Sequence, residues 1–182
     1  MNKPLGFFGL DYSNQLVRDI ALTWGDFLNK LPTIDKYWLI ARLAAEAHLQ
    51  SPNWMSPTDE AFEVCERLEA EGSDLDMPLD TRLSVMRALF DADHPIGYWG
   101  ISVNQSPLLK DMVESWGENL SGCPDGDACW LIGRIAQTIW EELSNAFDQG
   151  ASDQADEVVN RQHELKFDEK ISLIQALLMI AN

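Results

Sequence analysis

Leu31-Pro32-Thr33-Ile34-Asp35-Lys36-Tyr37-Trp38-Leu39-Ile40-Ala41-Arg42-Leu43-Ala44-Ala45-Glu46 is the stretch that decides the fold class. Its apolar side chains Trp38, Leu39, Leu43 and then Ala47 recur at helical spacing, and nothing in the run alternates with period two. Thr33 or Asp35 is the expected N-cap, and the helix is expected to reach about Leu49. Ala41, Ala44, Ala45 and His48 share one side of it. Small residues on a helix face let a second helix approach closely or leave room for a flat ligand, and close helix packing is the simpler reading.

The same periodicity continues outward in both directions. Upstream, a first helix is expected over about Asn14–Asn29, with Leu16, Ile20, Trp24, Phe27 and Leu28 facing inward. Downstream, the segment Ser51-Pro52-Asn53-Trp54-Met55-Ser56-Pro57 reads as a loop, after which Thr58 caps a third helix that Gly72-Ser73 closes. Pro78 to Asp80 open a fourth helix with the stripe Leu83, Met86, Leu89 and Phe90, broken at Asp93-His94-Pro95. Tyr98-Trp99-Gly100-Ile101 reads as an irregular apolar connection, either an exposed dimer patch or a buried bend. Ser106-Pro107 start a fifth helix to about Leu120, and Asp127 caps a sixth to about Phe147, stopped by Gly150. Two more follow, over about Ser152–His163 and Asp168–Ala181. The expectation is all-α: about eight helices and no sheet.

A weak repeat runs through these helices. Asp35, Asp80, Asp127 and Asp168 are each followed three residues on by Trp38, Leu83, Trp130 and Ile171. Arg42, Arg87, Arg134 and Gln175 come seven residues on. An Asp at a helix start followed by one apolar face explains the first correspondence without common ancestry. The unequal separations exclude a solenoid of fixed period.

The 182 residues, 46% hydrophobic, suffice for one domain over 1–182, with a break between two subdomains near 93–105. Thirty Asp and Glu against 13 Lys and Arg give a net charge of -17. That balance argues against direct nucleic-acid binding and against an anionic membrane surface, and favours a basic protein partner. No run approaches a membrane span, and Leu5, Phe7, Phe8 and Leu10 form too short a patch for a secretory signal. The three cysteines, Cys65, Cys123 and Cys129, fit free thiols in a reducing cytoplasm.

Catalytic and metal chemistry find little support. No Glu-x-x-His pair precedes His48, His94 or His163. Asp91-Ala92-Asp93-His94 reads more simply as a helix end than as a metal site, and Cys123 and Cys129 are spaced too widely for a zinc knuckle. Pro124-Asp125-Gly126-Asp127 is a turn and a cap rather than a calcium loop. Cys65 lies between Glu63 and Glu66, which disfavour a thiolate. Glu60, Glu63, Glu66, Glu69 and Glu71 form an acidic, solvated helix face. No metal and no enzyme activity are expected. Seven Trp against three Tyr are the unusual feature. Trp24, Trp38, Trp130 and Trp140 are assigned to the core, whereas Tyr98 and Trp99 stand in a glycine-flanked segment suited to a ligand or partner.

Three segments carry a family likeness: Leu31 to Glu46; Val85 to Ile96 with Ser102-Val103-Asn104; and Leu165 to Ala181. In this order and spacing the chain resembles the N-terminal helical domain of the orange carotenoid protein and the stand-alone helical carotenoid proteins. The resemblance implies two interleaved four-helix bundles, a bound carotenoid, and photoprotection beside a light-harvesting antenna, the phycobilisome. The family's second helix presents a Trp and a Tyr to the carotenoid ring; Ala41 and Ala44 stand at the matching positions. Leu108-Leu109-Lys110-Asp111 stands where a further aromatic pair follows in the family, and Gln175 stands at the family's last-helix Arg.

The expected pigment slot is therefore lined by Ile40, Ala41, Ala44, Met86, Ile132 and Leu173, with Trp38, Tyr98, Trp99 or Trp116 supplying the rings. The alternative expectation is a pigment-free acidic protein that docks on, or mimics a ligand of, a basic surface, with a homodimer among its possible states.

Overall fold

The computed structural model describes residues 3–52, 57–69 and 77–180. The expected loop through Asn53 to Ser56, the stop at Gly72-Ser73 and the last helix's end at Ala181 lie outside them. Among the described residues there are eight α-helices and no strand. They are α1 (Gln15–Trp24), α2 (Thr33–Gln50), α3 (Asp59–Glu69), α4 (Leu79–Leu89), α5 (Pro107–Trp116), α6 (Asp125–Phe147), α7 (Asp153–Arg161) and α8 (Phe167–Met179). Short 3-10 turns at Leu5–Phe8 and Ile96–Trp99 precede α1 and α5.

Several expected boundaries shift, each for a local reason. α1 stops at Trp24 rather than near Asn29, because Gly25 takes φ 84° and Leu28 turns left-handed at φ 53°. α5 stops at Trp116 rather than Leu120 in the same way, with Gly117 at φ 85° and Leu120 at φ 54°. A left-handed leucine costs about 1–2 kcal/mol. Both side chains are buried, which returns about 1.5–3 kcal/mol each. Phe27, expected inside, is 45% exposed. α6 ends at Phe147 as expected, but the left-handed residue that stops it is Asp148 (φ 49°) rather than Gly150, and His163 belongs to a 3-10 turn beyond α7. The Tyr98-Trp99 segment is regular 3-10 structure closed by Gly100 at φ 80°.

These paired deviations expose a two-copy repeat that the four-helix alignment overlooked. Pro4-Leu5-Gly6-Phe7-Phe8-Gly9-Leu10 matches Pro95-Ile96-Gly97-Tyr98-Trp99-Gly100-Ile101. Trp24-Gly25 matches Trp116-Gly117, and Trp38-Leu39-Ile40-x-Arg42 matches Trp130-Leu131-Ile132-x-Arg134. Asp80, Ser84, Ala88 and Leu89 match Asp168, Ser172, Ala176 and Leu177. Backbone bonds repeat too: Leu5 N donates to Asp26 O (3.0 Å) as Ile96 N does to Glu118 O (2.7 Å).

The copies exchange elements. α1 and α2 pack on α7, and α2 also packs on α8, while α3 packs on α5 and both α3 and α4 pack on α6. Reciprocal contacts tie the halves. Asp35, expected as the α2 cap, instead accepts from Ser152 N (2.8 Å) and Oγ (2.7 Å) at the start of α7. Asp127, expected as the α6 cap, accepts from Thr58 N (3.3 Å) and Oγ1 (2.6 Å) before α3. Arg67 pairs with Asp111 at 2.5 Å as Arg161 pairs with Asp19 at 2.8 Å. Residue i of one copy meets j of the other and j meets i, the signature of an approximate twofold axis.

α2 and α6 form the most extensive pairing, crossing at Ala41, Ala44 and Gly133. A Cβ built on Gly133 lies 3.4 Å from Ala45 N, 3.5 Å from Ala41 O and 3.5 Å from Ala44 Cβ. Helix packing thus fills the small-residue side of α2 at Ala41 and Ala44, whereas the Ala45 side chain stays exposed beside a groove. Gly133→Ala is expected to be neutral or to stabilise by up to ~1 kcal/mol through helix propensity. Gly133→Leu overpacks the crossing and costs about 1–3 kcal/mol, read as a lower urea midpoint.

Candidate functional site

The expected slot residues do not form one site. Ile40, Ala44, Met86, Ile132 and Leu173 are buried to 1% exposure or less and pack in the core. Ala41 is buried beside Gly133, at the edge of a groove of about 450 Å³ that also meets Arg42, His48, Trp130 and Arg134. Trp38 is half-buried. Its ring lies 4.7 Å from Trp140, Arg42 stacks 4.0 Å from its centre, and its Nε1 donates to Asp156 (2.9 Å). Trp116 is buried in the core. Of the Trp set assigned inside, Trp24 is buried, but Trp38, Trp130 and Trp140 are only half-buried.

Tyr98 and Trp99 lie elsewhere, in a surface cavity of about 440 Å³. There they meet Phe7, Phe8 and Phe90. Phe7 and Phe8 are the repeat counterparts of Tyr98 and Trp99, so the cavity sits where the two copies of the 3-10 turn come together. Each pair is edge-to-face: 5.3 Å and 85° for Phe7–Phe8, 5.1 Å and 89° for Tyr98–Trp99. The geometry follows from the sequence Pro-x-Gly-aromatic-aromatic-Gly. Proline starts the turn, the last glycine reverses it at positive φ, and Leu5 or Ile96 anchors it in the core. Phe7 and Tyr98 are each left 62% exposed. The duplicated motif at Pro4 and Pro95 was the signal that would have identified Phe7 and Phe8.

Polar groups of the cavity come from α4, α8 and the connection after α4. Arg87 is half-buried; its Nε donates to Leu178 O at 2.7 Å, and its Cζ lies 5.9 Å from the Trp99 ring. Burial pushes its pKa below the usual arginine range. Gln175, its repeat counterpart, lines the same cavity. At the rim His94 stacks on Tyr98 at 4.1 Å and donates Nδ1–H to Asp91 (2.9 Å). Among the described residues no group of three His, Cys, Asp or Glu side chains is placed to hold a metal ion. Burial pushes the Cys123 and Cys129 thiols up to about 12, so neither offers a thiolate nucleophile near neutral pH.

Behind the cavity Lys36 is 1% exposed and donates toward Ile180 O at 3.4 Å. Burial first, and the Arg87 charge second, bring its pKa down to about 8. No family model, no curated protein and no solved structure matches the chain. Among the described residues no helix is long and apolar enough to cross a membrane.

The Lys36 shift has a sign that can be measured. Unfolded, the amine keeps its proton to about pH 10.4. Between about pH 8 and that value the unfolded chain binds more protons, so this group's contribution to stability rises with pH. Denaturant titrations at about pH 7 and about pH 10 are expected to show wild type gaining about 2–3 kcal/mol relative to Lys36→Met. A pH-independent difference would mean that Lys36 keeps an ordinary amine.

Proposed function

We propose that this protein is a non-enzymatic binding module that holds a flat apolar ring in the aromatic cavity where its two halves meet. The observation that carries this reading is the meeting of Phe7-Phe8 with Tyr98-Trp99 around one concavity, two of the four rings remaining largely in water. Exposed aromatic area is costly at about 25 cal/mol per Å², and an inserted ring removes it from solvent. The carotenoid class implied by the resemblance enters this reading through its end ring. Ile40, Met86, Ile132 and Leu173 then support the cavity's helices from the core rather than wall a slot. Photoprotective quenching would need only a held pigment, with no catalytic residue.

Purified from a carotenoid-producing host, wild type is expected to carry a visible absorption band near one pigment per chain. The double variant Tyr98→Ala, Trp99→Ala is expected to lose it. A colourless wild type that still binds 2-naphthalenemethanol would move the ring to another chemical class. A wild type that takes up neither overturns the reading.

A second reading, docking on a basic partner such as an antenna protein, is favoured by one feature of α3. Asp59, Glu60, Glu63 and Glu66 are solvent-exposed around Phe62, which is itself 52% exposed and stacks on Trp130 at 6.2 Å. An acidic rim around an aromatic centre suits a basic surface. Binding of a basic partner through this face is expected to weaken at least tenfold between low and moderate salt. Salt-independent binding would sink that version.

A further inference from the structure

We propose that the aromatic cavity selects a monoanionic ring ligand, an aromatic carboxylate, with Arg87 as its charge anchor. The proposal deepens the ring-binding reading and rests on it. Its starting point is an anomaly of charge. The chain has 30 acidic residues for 13 Lys and Arg, yet no carboxylate among the described residues pairs with Arg87. Asp80, two turns earlier on α4, acts on it only through space. The guanidinium's one hydrogen bond among the described residues is from Nε to Leu178 O, and its Cζ lies over the Trp99 ring, 5.9 Å from the ring centre. That bond holds the group at Nε, and among the described residues both terminal nitrogens, the fork that binds a carboxylate bidentately, have no partner.

The surroundings say which anion fits. A half-buried guanidinium without a counter-ion is costly, and a bound carboxylate removes that cost. The aromatic pairs on either side supply faces for a ring. Lys36 lies close enough to feel the Arg87 charge and adds to the positive potential on the inner side. On the outer side, Asp93 is exposed, and Asp91 is engaged by His94. Those rim carboxylates, with the net charge of -17, oppose a dianion such as a phosphate monoester and tolerate one negative charge placed inward. The repeat gives the site its polarity: Arg87 and its neutral counterpart Gln175 both line the cavity, so only the Arg87 position offers a carboxylate a charge.

The test compares two isosteric probes, 2-naphthoate and 2-naphthalenemethanol, by isothermal titration against the full chain. Wild type is expected to bind the naphthoate at least tenfold more tightly than the alcohol. Arg87→Gln, which places the counterpart's side chain at this position, is expected to bring that ratio to about one. Arg87→Lys, which keeps the charge without the fork, is expected to lower the ratio several-fold and serves if the glutamine variant does not fold. Equal affinities in wild type, or a naphthoate preference that neither variant changes, would overturn the anion proposal while leaving the ring site standing. Binding of neither probe would overturn both.

Discussion

The structure depends on how closely α2 and α6 approach each other. Ala41, Ala44 and Gly133 let the two backbones come within van der Waals contact; α3, α4, α7 and α8 pack on that pair, and α1 and α5 pack in turn on α7 and α3. Close approach has two consequences. It buries Ile40 and Ile132 completely. It also brings the start of each of these helices within reach of the opposite copy's shorter helix. Asp35 and Asp127 then hold Ser152 and Thr58, and those in turn cap α7 and α3 through Ala155 N and Ala61 N. Each acidic side chain reaches across to the capping residue of the other copy, so the caps of α7 and α3 are themselves held by the opposite half.

The approximate twofold axis explains the aromatic cavity. A turn that ends in two aromatic residues cannot bury both against its own helix, because a single 3-10 turn places consecutive side chains on different sides. Duplication places two such turns on one cavity, where each pair of rings packs edge-to-face within itself and Phe7 and Tyr98 stay largely exposed. Where the copies have diverged, the site gains chemistry: Phe7 and Phe8 against Tyr98 and Trp99 change ring polarity, and Arg87 against Gln175 changes charge. The core positions diverge less in character, since Ile40 against Ile132 or Leu89 against Leu177 must fill equivalent volumes.

Charge separates interior from surface in an unusual way. The buried cations Lys36 and Lys170 are spent on carbonyl oxygens, at Ile180 and Leu165, and Lys170 also on Gln50, while most acidic side chains face water. Asp35 and Asp127 are buried as well, so the positive character is local: Arg87 and Lys36 at the inner side of the aromatic cavity, beneath a strongly negative surface, favour a single anionic group there over a multiply charged one. Both readings of function, the ring site and the basic partner, draw on this distribution on opposite sides of the molecule's surface chemistry.

Helices with strong apolar stripes were legible from the sequence alone, because the spacing of Leu16, Ile20 and Trp24, or of Leu83 and Met86, is a local property of the chain. Thr58 was legible as a cap for the same reason, and Ser152 as a helix start. Tyr98 and Trp99 stood out by their flanking glycines. What stayed hidden were features whose cause is non-local. Leu28 and Leu120 adopt left-handed backbone because burial in the core outweighs the strain, and no local pattern announces that. Phe7 and Phe8 join Tyr98 and Trp99 only because the halves exchange helices. Asp35 and Asp127 were recognisable as helix-start residues, but the capping residue each one holds belongs to the other copy. Periodicity, charge and turn chemistry are written into neighbouring residues, so the sequence by itself determined an all-helical, acidic protein with aromatic turns. Which turns share a cavity and which carboxylate meets which amide were decided only by the tertiary structure, because those pairings depend on two distant segments being brought to within a few ångströms.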